Sequence, residues 1–406
     1  MPFIDGIHPY SGYSGYSGYS GYSGYSGYSG YSGYSGYGSV EQSPTTAALI
    51  STRDGIVGSW RGPALGAGEL VLENPNNLRL WGTKERAEIF AFELAATIGF
   101  GVTTDSDGQH ACVYQAEPVA GKDGALASTS YKVLAKFTRP SLDVFQEQLK
   151  FVNNYAELRA DRAAEIMAQL GIPGAFYGAI VGWLQPDRAP RTWELLLTAL
   201  RLAYYIVMRV KHCLACRRPH EYSPQIQPII PVPLHGSLPS GHATEASMFA
   251  FVLWELLKDA DADAGAGCHT FEKKIWGDEL MRQASRIAVN RTIAGVHFPV
   301  DSVAGAMLGL TLGKYLVARC KGGAYAGWHF DGAKFDCRSD FNWHALFDLD
   351  LGQKEVSWDS DPGKKYVCRV ADYDLTLNNL AILPSLWQAA KYEWVAPPSP
   401  TSAPKS

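Results

Sequence analysis

Apolar residues recur at three- and four-residue spacing through "DVFQEQLKFVNNYAELRADRAAEIMAQLG" (143–171), and Gly171 and Pro173 close the stretch. That period predicts an amphipathic helix. "PRTWELLLTALRLAYYIVMRVKHCLA" (190–215) predicts a second, more buried one. A proline-rich loop follows over 218–239. Then "HATEASMFAFVLWELLKDA" (242–260), "FEKKIWGDELMRQASRIAVNRTIAGV" (271–296) and "PVDSVAGAMLGLTLGKYLVARC" (299–320) predict three more helices, separated by glycine- or proline-marked breaks. Such a succession of apolar-striped helices predicts a helical-bundle catalytic core over 140–320. The preceding 41–139 reads as a mixed segment packing on that core, with one good helix at 83–97. The following 321–406 is rich in Trp, Phe, Tyr and Asp without clear period. It reads as an irregular C-terminal extension, frayed after 396 where proline and serine dominate. Residues 1–40 carry a strict Tyr-Ser-Gly repeat over 10–37, with no aliphatic side chains to bury, and predict a disordered tail. The expected fold class is all-α: a helical bundle with irregular N- and C-terminal extensions.

Composition changes this picture little. Hydrophobic residues make up 46% of the 406-residue chain and charged residues 19%, with a formal net charge of -4. That balance gives no global pull toward nucleic acid or an anionic membrane. No stretch reaches the ~18 uninterrupted apolar residues of a membrane helix: Arg201 and Arg209 interrupt 195–210, and Lys314 interrupts 303–318. The N-terminus has no basic start followed by an apolar core, so the expectation is a cytoplasmic protein without a membrane partner, non-classical export left open. Seven cysteines form no disulfide scaffold, and the "CLAC" pair, Cys213 and Cys216, has no second pair at zinc spacing.

The chemistry is concentrated in three stretches of the predicted core. "KHCLACRRP" places Lys211 and Arg218 about two helical turns apart, with Pro219 expected to end that helix. "PSGH" (239–242) offers a hydroxyl, a flexible backbone amide and an imidazole where a loop enters a helix. "NRTIAGVHFPVD" holds Arg291, His297 and Asp301, and a helical turn would set the Asp301 carboxylate against the His297 ring to fix its tautomer. Three cations, Ser240, the Gly241 amide and two histidines suit a tetrahedral oxyanion flanked by acid/base groups.

K-x6-RP, PSGH and R-x5-H-x3-D, in that order, resemble the signature shared by type 2 phosphatidic acid phosphatases, bacterial class A acid phosphatases and vanadium-dependent haloperoxidases. The resemblance is tight over about 205–305 and its helical setting extends over roughly 140–320. Asn290 departs from the serine usual in the phosphatases. The resemblance implies that Lys211, Arg218, Arg291, Ser240 and Gly241 hold equatorial oxygens, that His297 bonds the central atom, and that His242 is the acid/base on the opposite side. In a phosphatase the oxyanion is a substrate and His297 the nucleophile; in a haloperoxidase it is the cofactor vanadate, V(V), ligated by His297. Length and the absence of a secretion signal lean the reading toward a vanadate-dependent haloperoxidase. Its partners would be hydrogen peroxide, a halide ion and an organic acceptor, and related enzymes often assemble as homo-oligomers. "AELRADRAAEIMAQLG" resembles a helix of bacterial haloperoxidase-like sequences, which would place Asp161, Arg162 and Glu165 behind the site. His235, seven residues before His242, resembles the bromoperoxidases and suggests a bromide or iodide preference; Met208 lies where those enzymes often carry an aromatic. A soluble acid phosphatase working through a phosphohistidine is the alternative, and a scaffold protein with a degenerate enzyme core the third reading.

Overall fold

A computed structural model describes residues 44–62, 70–106, 108–120, 126–171, 173–263, 271, 273–375 and 382–395. The Tyr-Ser-Gly tail, Cys268 and the segment after 396 lie outside the described residues. The chain divides into a small unit up to Arg86 and a large one from Ala87 onward. The small unit holds helix α1 (Pro44–Ile56) and a 3-10 turn at Pro75–Leu80, whose first turn is capped by Asn74 accepting from the Asn76 amide at 2.9 Å. Helix α2 (Thr83–Ala95) runs across the division.

In the large unit three strands come first: β1 (Ile98–Asp105), β2 (Gly108–Ala120) and β3 (Leu126–Thr138). Helices α3 (Leu142–Tyr155), α4 (Arg159–Ala168) and the short α5 (Gly174–Gly178) lead to the long α6 (Pro190–Leu214). After the short α7 (Pro219–Tyr222) and an irregular loop come α8 (Gly241–Asp263), α9 (Lys274–Ile293) and α10 (Pro299–Lys321). The chain then returns as β4 (Gly323–Asp331), α11 (Trp343–Leu346), the short strands β5 (Phe347–Asp348), β6 (Gly352–Gln353) and β7 (Val356–Trp358), the long β8 (Asp361–Leu375), and α12 (Leu383–Tyr392).

The fold is therefore mixed α/β, 54% helix and 19% strand, and the all-α expectation is wrong. A six-stranded sheet of order β1-β2-β3-β4-β8-β7 joins the two stretches read as extensions of the bundle. Its strands pair antiparallel except β3 with β4, where Ala135 pairs with Trp328 and Thr138 with Asp331. Side chains alternate across it. Ala111, Val113, Ala135, Phe137, Trp328, Phe330 and Val367 are buried, while the alternate positions carry a polar chain. In that chain Thr138 Oγ1 lies 2.8 Å from both His110 Nδ1 and His329 Nε2, and His110 Nε2 lies 2.7 Å from Asp105. The apolar stripe of "KVLAKF" is a strand signal and pairs locally with β2, but its second neighbour, β4, is nearly two hundred residues away, so periodicity alone does not reveal the full sheet.

Helices lie where the apolar stripes put them, but the single helix expected over 143–171 is broken by a 3-10 turn at Ala156–Leu158 into α3 and α4. α8 packs against α6, α9 and α10, and all four bury long apolar stripes. α10 is apolar and long enough to cross a membrane, but 94% of its apolar window is buried inside the protein. The crossing of α8 and α10 is unusually close because Gly305, Gly309 and Gly313 form one face of α10. A Cβ at Gly305 would meet the Ser240 carbonyl at 2.5 Å, and one at Gly309 would overlap the Thr244 carbonyl. These glycines thus set the first turns of α8, where the PSGH loop ends, directly on α10. Gly309→Ala must push two backbones apart, so we expect a loss of about 1–3 kcal/mol in urea denaturation. Wild-type stability in that variant would contradict this packing.

Candidate active site

Lys211 sits in the last turn of α6, 1% exposed. Its ammonium donates to the carbonyls of Gly236 at 2.9 Å and Ser237 at 2.6 Å. Gly236 permits this because a Cβ there would crowd the Lys211 and Cys216 carbonyls at 3.2 and 3.3 Å. Arg218 does not share a helix with Lys211, contrary to the two-turn reading. α6 stops when Ala215 turns left-handed at φ 47°, and Pro219 occupies the first turn of α7 rather than ending α6. The chain reversal still brings the two cations together. Arg218 donates from Nε to His235 O at 2.9 Å and from Nη1 to Val296 O at 2.7 Å, and its Nη2 is 3.4 Å from the same Gly236 carbonyl that Lys211 uses.

His297 precedes α10, and Asp301 lies in that helix's first turn. Asp301 Oδ2 accepts from the Phe298 amide at 3.0 Å, from Ser237 Oγ at 2.5 Å, and from His297 Nδ1 at 2.9 Å. A carboxylate can only accept, so the His297 proton is on Nδ1 and its lone pair on Nε2. Nε2 lies 3.4 Å from Arg218 Nη1. Burial, then the nearby Arg218 and Lys211, hold the His297 pKa well below the usual histidine value. Burial pushes Asp301 up to about 6, which leaves it ionised at neutral pH. An isolated histidine–carboxylate pair would move both the other way; here desolvation wins at both, helped at His297 by the surrounding cations and opposed by them at Asp301.

The PSGH turn closes the site. The Ser240 amide donates to Asp301 O at 2.8 Å, and its carbonyl and hydroxyl cap α8 by accepting from the Thr244 and Ala243 amides at 3.1 and 3.4 Å. Gly241 begins the helix, whose first amides have no intrahelical acceptor. His242 is 5% exposed and places Nε2 3.2 Å from Gln169 O, so Nε2 carries the proton and Nδ1 the lone pair. Burial, then Arg291, keeps it neutral. Arg291, at the end of α9, gives only Nη2 to protein, to Ile166 O at 3.2 Å and Gln169 Oε1 at 3.1 Å. Its Nε and Nη1 are buried without a partner.

Not every expected neighbour is brought in. His235 is: its Nδ1 lies 3.3 Å from Arg218 Nη2, and burial, then Lys211, drops its pKa to about 3. Arg162 and Glu165 stand one layer behind Arg291, both touching Asn290, at 3.3 and 2.8 Å. Asp161 is exposed and takes no part, because it lies on the outer face of α4. Met208 is half-buried on α6 and makes no polar contact with the cluster. Cys216 is a buried thiol pushed up to about 12 by burial, and among the described residues no group of His, Cys, Asp or Glu could hold a metal ion. Two participants were missed: Ser237, which ties Lys211 to Asp301, and Gln169. Glu245, one turn after His242, was missed as well. Its carboxyl is buried with both oxygens unpartnered, and burial raises its pKa well above the ordinary range.

The cluster thus holds three buried cations that, among the described residues, hydrogen-bond only to carbonyls, an amide oxygen and imidazoles, with no carboxylate ion-paired to any of them. Burying charges this way is costly unless an anion joins them. No curated protein matches the chain. A family comparison does: residues 193–321 match the PAP2 superfamily, whose members include phosphatases and vanadium haloperoxidases. The stretch that supplies Lys211, Arg218, the PSGH turn, Arg291, His297 and Asp301 is accordingly a PAP2 superfamily domain.

Proposed function

We propose that this protein is a vanadate-dependent haloperoxidase that uses hydrogen peroxide to oxidise halide, bromide or iodide in preference to chloride, to hypohalous acid, which halogenates an organic acceptor. The observation that carries the reading is the cation-rich cluster beside the lone pair of His297, none of its three cations ion-paired directly to a carboxylate, with two Arg291 nitrogens buried and unpartnered. Those orphaned donors, the helix-opening amides and a neutral imidazole fit a tetrahedral oxyanion such as vanadate. Lys211, Arg218, Arg291, Ser240 and Gly241 would hold its oxygens and His297 Nε2 its central atom. Bound vanadate would supply a V(V) Lewis acid that activates peroxide toward halide. His242, neutral and with Nδ1 as its basic nitrogen, would take the proton that peroxide gives up. His235, also neutral and held beside Arg218, supports a halide position at the edge of the cluster. The same neutral Nε2 of His297 favours a second reading, hydrolysis of phosphate monoesters through a phosphohistidine.

Bromination of a diketone reporter by apo-protein with peroxide and bromide, with and without orthovanadate, separates the two. We expect vanadate-dependent turnover suppressed by excess phosphate, and bromide or iodide turnover exceeding chloride turnover. His235→Ala should narrow that halide difference. Phosphate-ester hydrolysis inhibited by vanadate, without bromination, would replace the proposal by the second reading.

A further inference from the structure

Gln169 touches both groups on one side of the cation cluster. It is wholly buried just past the end of α4. Its side-chain oxygen accepts from Arg291 Nη2 at 3.1 Å and Asn290 Nδ2 at 2.9 Å, and its side-chain nitrogen donates to Glu165 Oε1 at 3.1 Å. Its backbone carbonyl accepts from His242 Nε2 at 3.2 Å. Glu165 in turn is engaged by Arg286, through two contacts of 2.7 Å, and by Asn290. A carboxylate therefore stands one residue from Arg291, and the neutral amides of Gln169 and Asn290 are what separate them.

We propose that Gln169 is a positioning residue: a neutral spacer that fixes Arg291 and His242 relative to each other while keeping the Arg291 charge available to the bound oxyanion. This rests on the oxyanion reading of the site. A carboxylate in its place would have the same shape but would neutralise Arg291 by a direct ion pair, and the cluster would lose net attraction for a dianion. A residue of similar size without hydrogen bonds would loosen Arg291 but leave its charge. The two changes therefore separate charge from position.

The test is calorimetric titration of purified full-length protein with sulfate, whose charge is constant between about pH 5 and 8, alongside phosphate at neutral pH. Gln169→Glu should bind sulfate about tenfold or more weakly at neutral pH, the loss shrinking as pH falls and the new carboxyl takes up a proton. Gln169→Met should lose about threefold to tenfold, with the pH profile of the wild type. A residue that only supports the fold would lower the melting temperature in both variants and leave the sulfate pH profile unmoved. Wild-type sulfate affinity at every pH in folded Gln169→Glu, or unchanged affinity in folded Gln169→Met, would overturn the role of Gln169 alone. Wild-type protein that binds neither sulfate nor phosphate would overturn the oxyanion reading, and this inference with it.

Discussion

Arg291→Met is expected to weaken oxyanion binding by about 10²–10³-fold, the usual effect of removing one preorganised donor from a charge-stabilising site, while leaving the protein as stable as the wild type or more so. The two halves of this result have one cause. Arg291 is fully buried, its Nε and Nη1 have no partner, and burial holds its pKa down to about 10. In the ligand-free protein that is a desolvation cost with little return. Methionine fills a similar volume without the charge, and Gln169 Oε1 keeps its bond from Asn290. Denaturation with and without phosphate checks both halves: phosphate should stabilise the wild type by mass action and Arg291→Met hardly at all. A variant that lost stability but kept its phosphate response would show Arg291 to be an ordinary structural arginine.

Asp301→Asn is expected to move binding and turnover in opposite directions. Three donors converge on Asp301 Oδ2, while its Oδ1 is buried with no partner. An asparagine can keep its oxygen at the first position and put its amide group at the second, so the His297 tautomer survives. What disappears is the negative charge among Lys211, Arg218 and His297. Oxyanion affinity should rise by about threefold or more as the cluster becomes more cationic. His297 Nε2, no longer backed by a carboxylate, becomes less basic, and kcat should fall by about 10²-fold in either chemistry. Kinetics and calorimetry on the same preparation give the split. A parallel fall in both would mean that Asp301 acts only by holding the loop in place.

The parts of this arrangement that the sequence discloses are those with local causes. The long helices show their apolar stripes, and Lys211, PSGH, Arg291 and His297–Asp301 can be picked out because each sits where a helix begins or ends. The full sheet escapes: β1, β2 and β3 pair with their neighbours in sequence, but β3 finds its parallel neighbour β4 only after the whole helical core has been laid down between them. Lys211 and Arg218 meet by a route other than the expected common helix face: a left-handed Ala215 and a shared Gly236 carbonyl bring them together. Asp161, in α4, and Gln169, just past its end, show the limit over a short stretch of chain. Both are polar, eight positions apart, and only the packing of α4 against α9 turns one to the site and the other to solvent.

The central claim is that the buried cations form an oxyanion site, and titration of the purified protein with phosphate and then orthovanadate tests it most directly. The account predicts one competitive site per chain, lost when Lys211, Arg218 and Arg291 are replaced together by methionine in a protein that still folds. Failure of the wild type to bind either anion, or binding that survives the triple replacement, would contradict it.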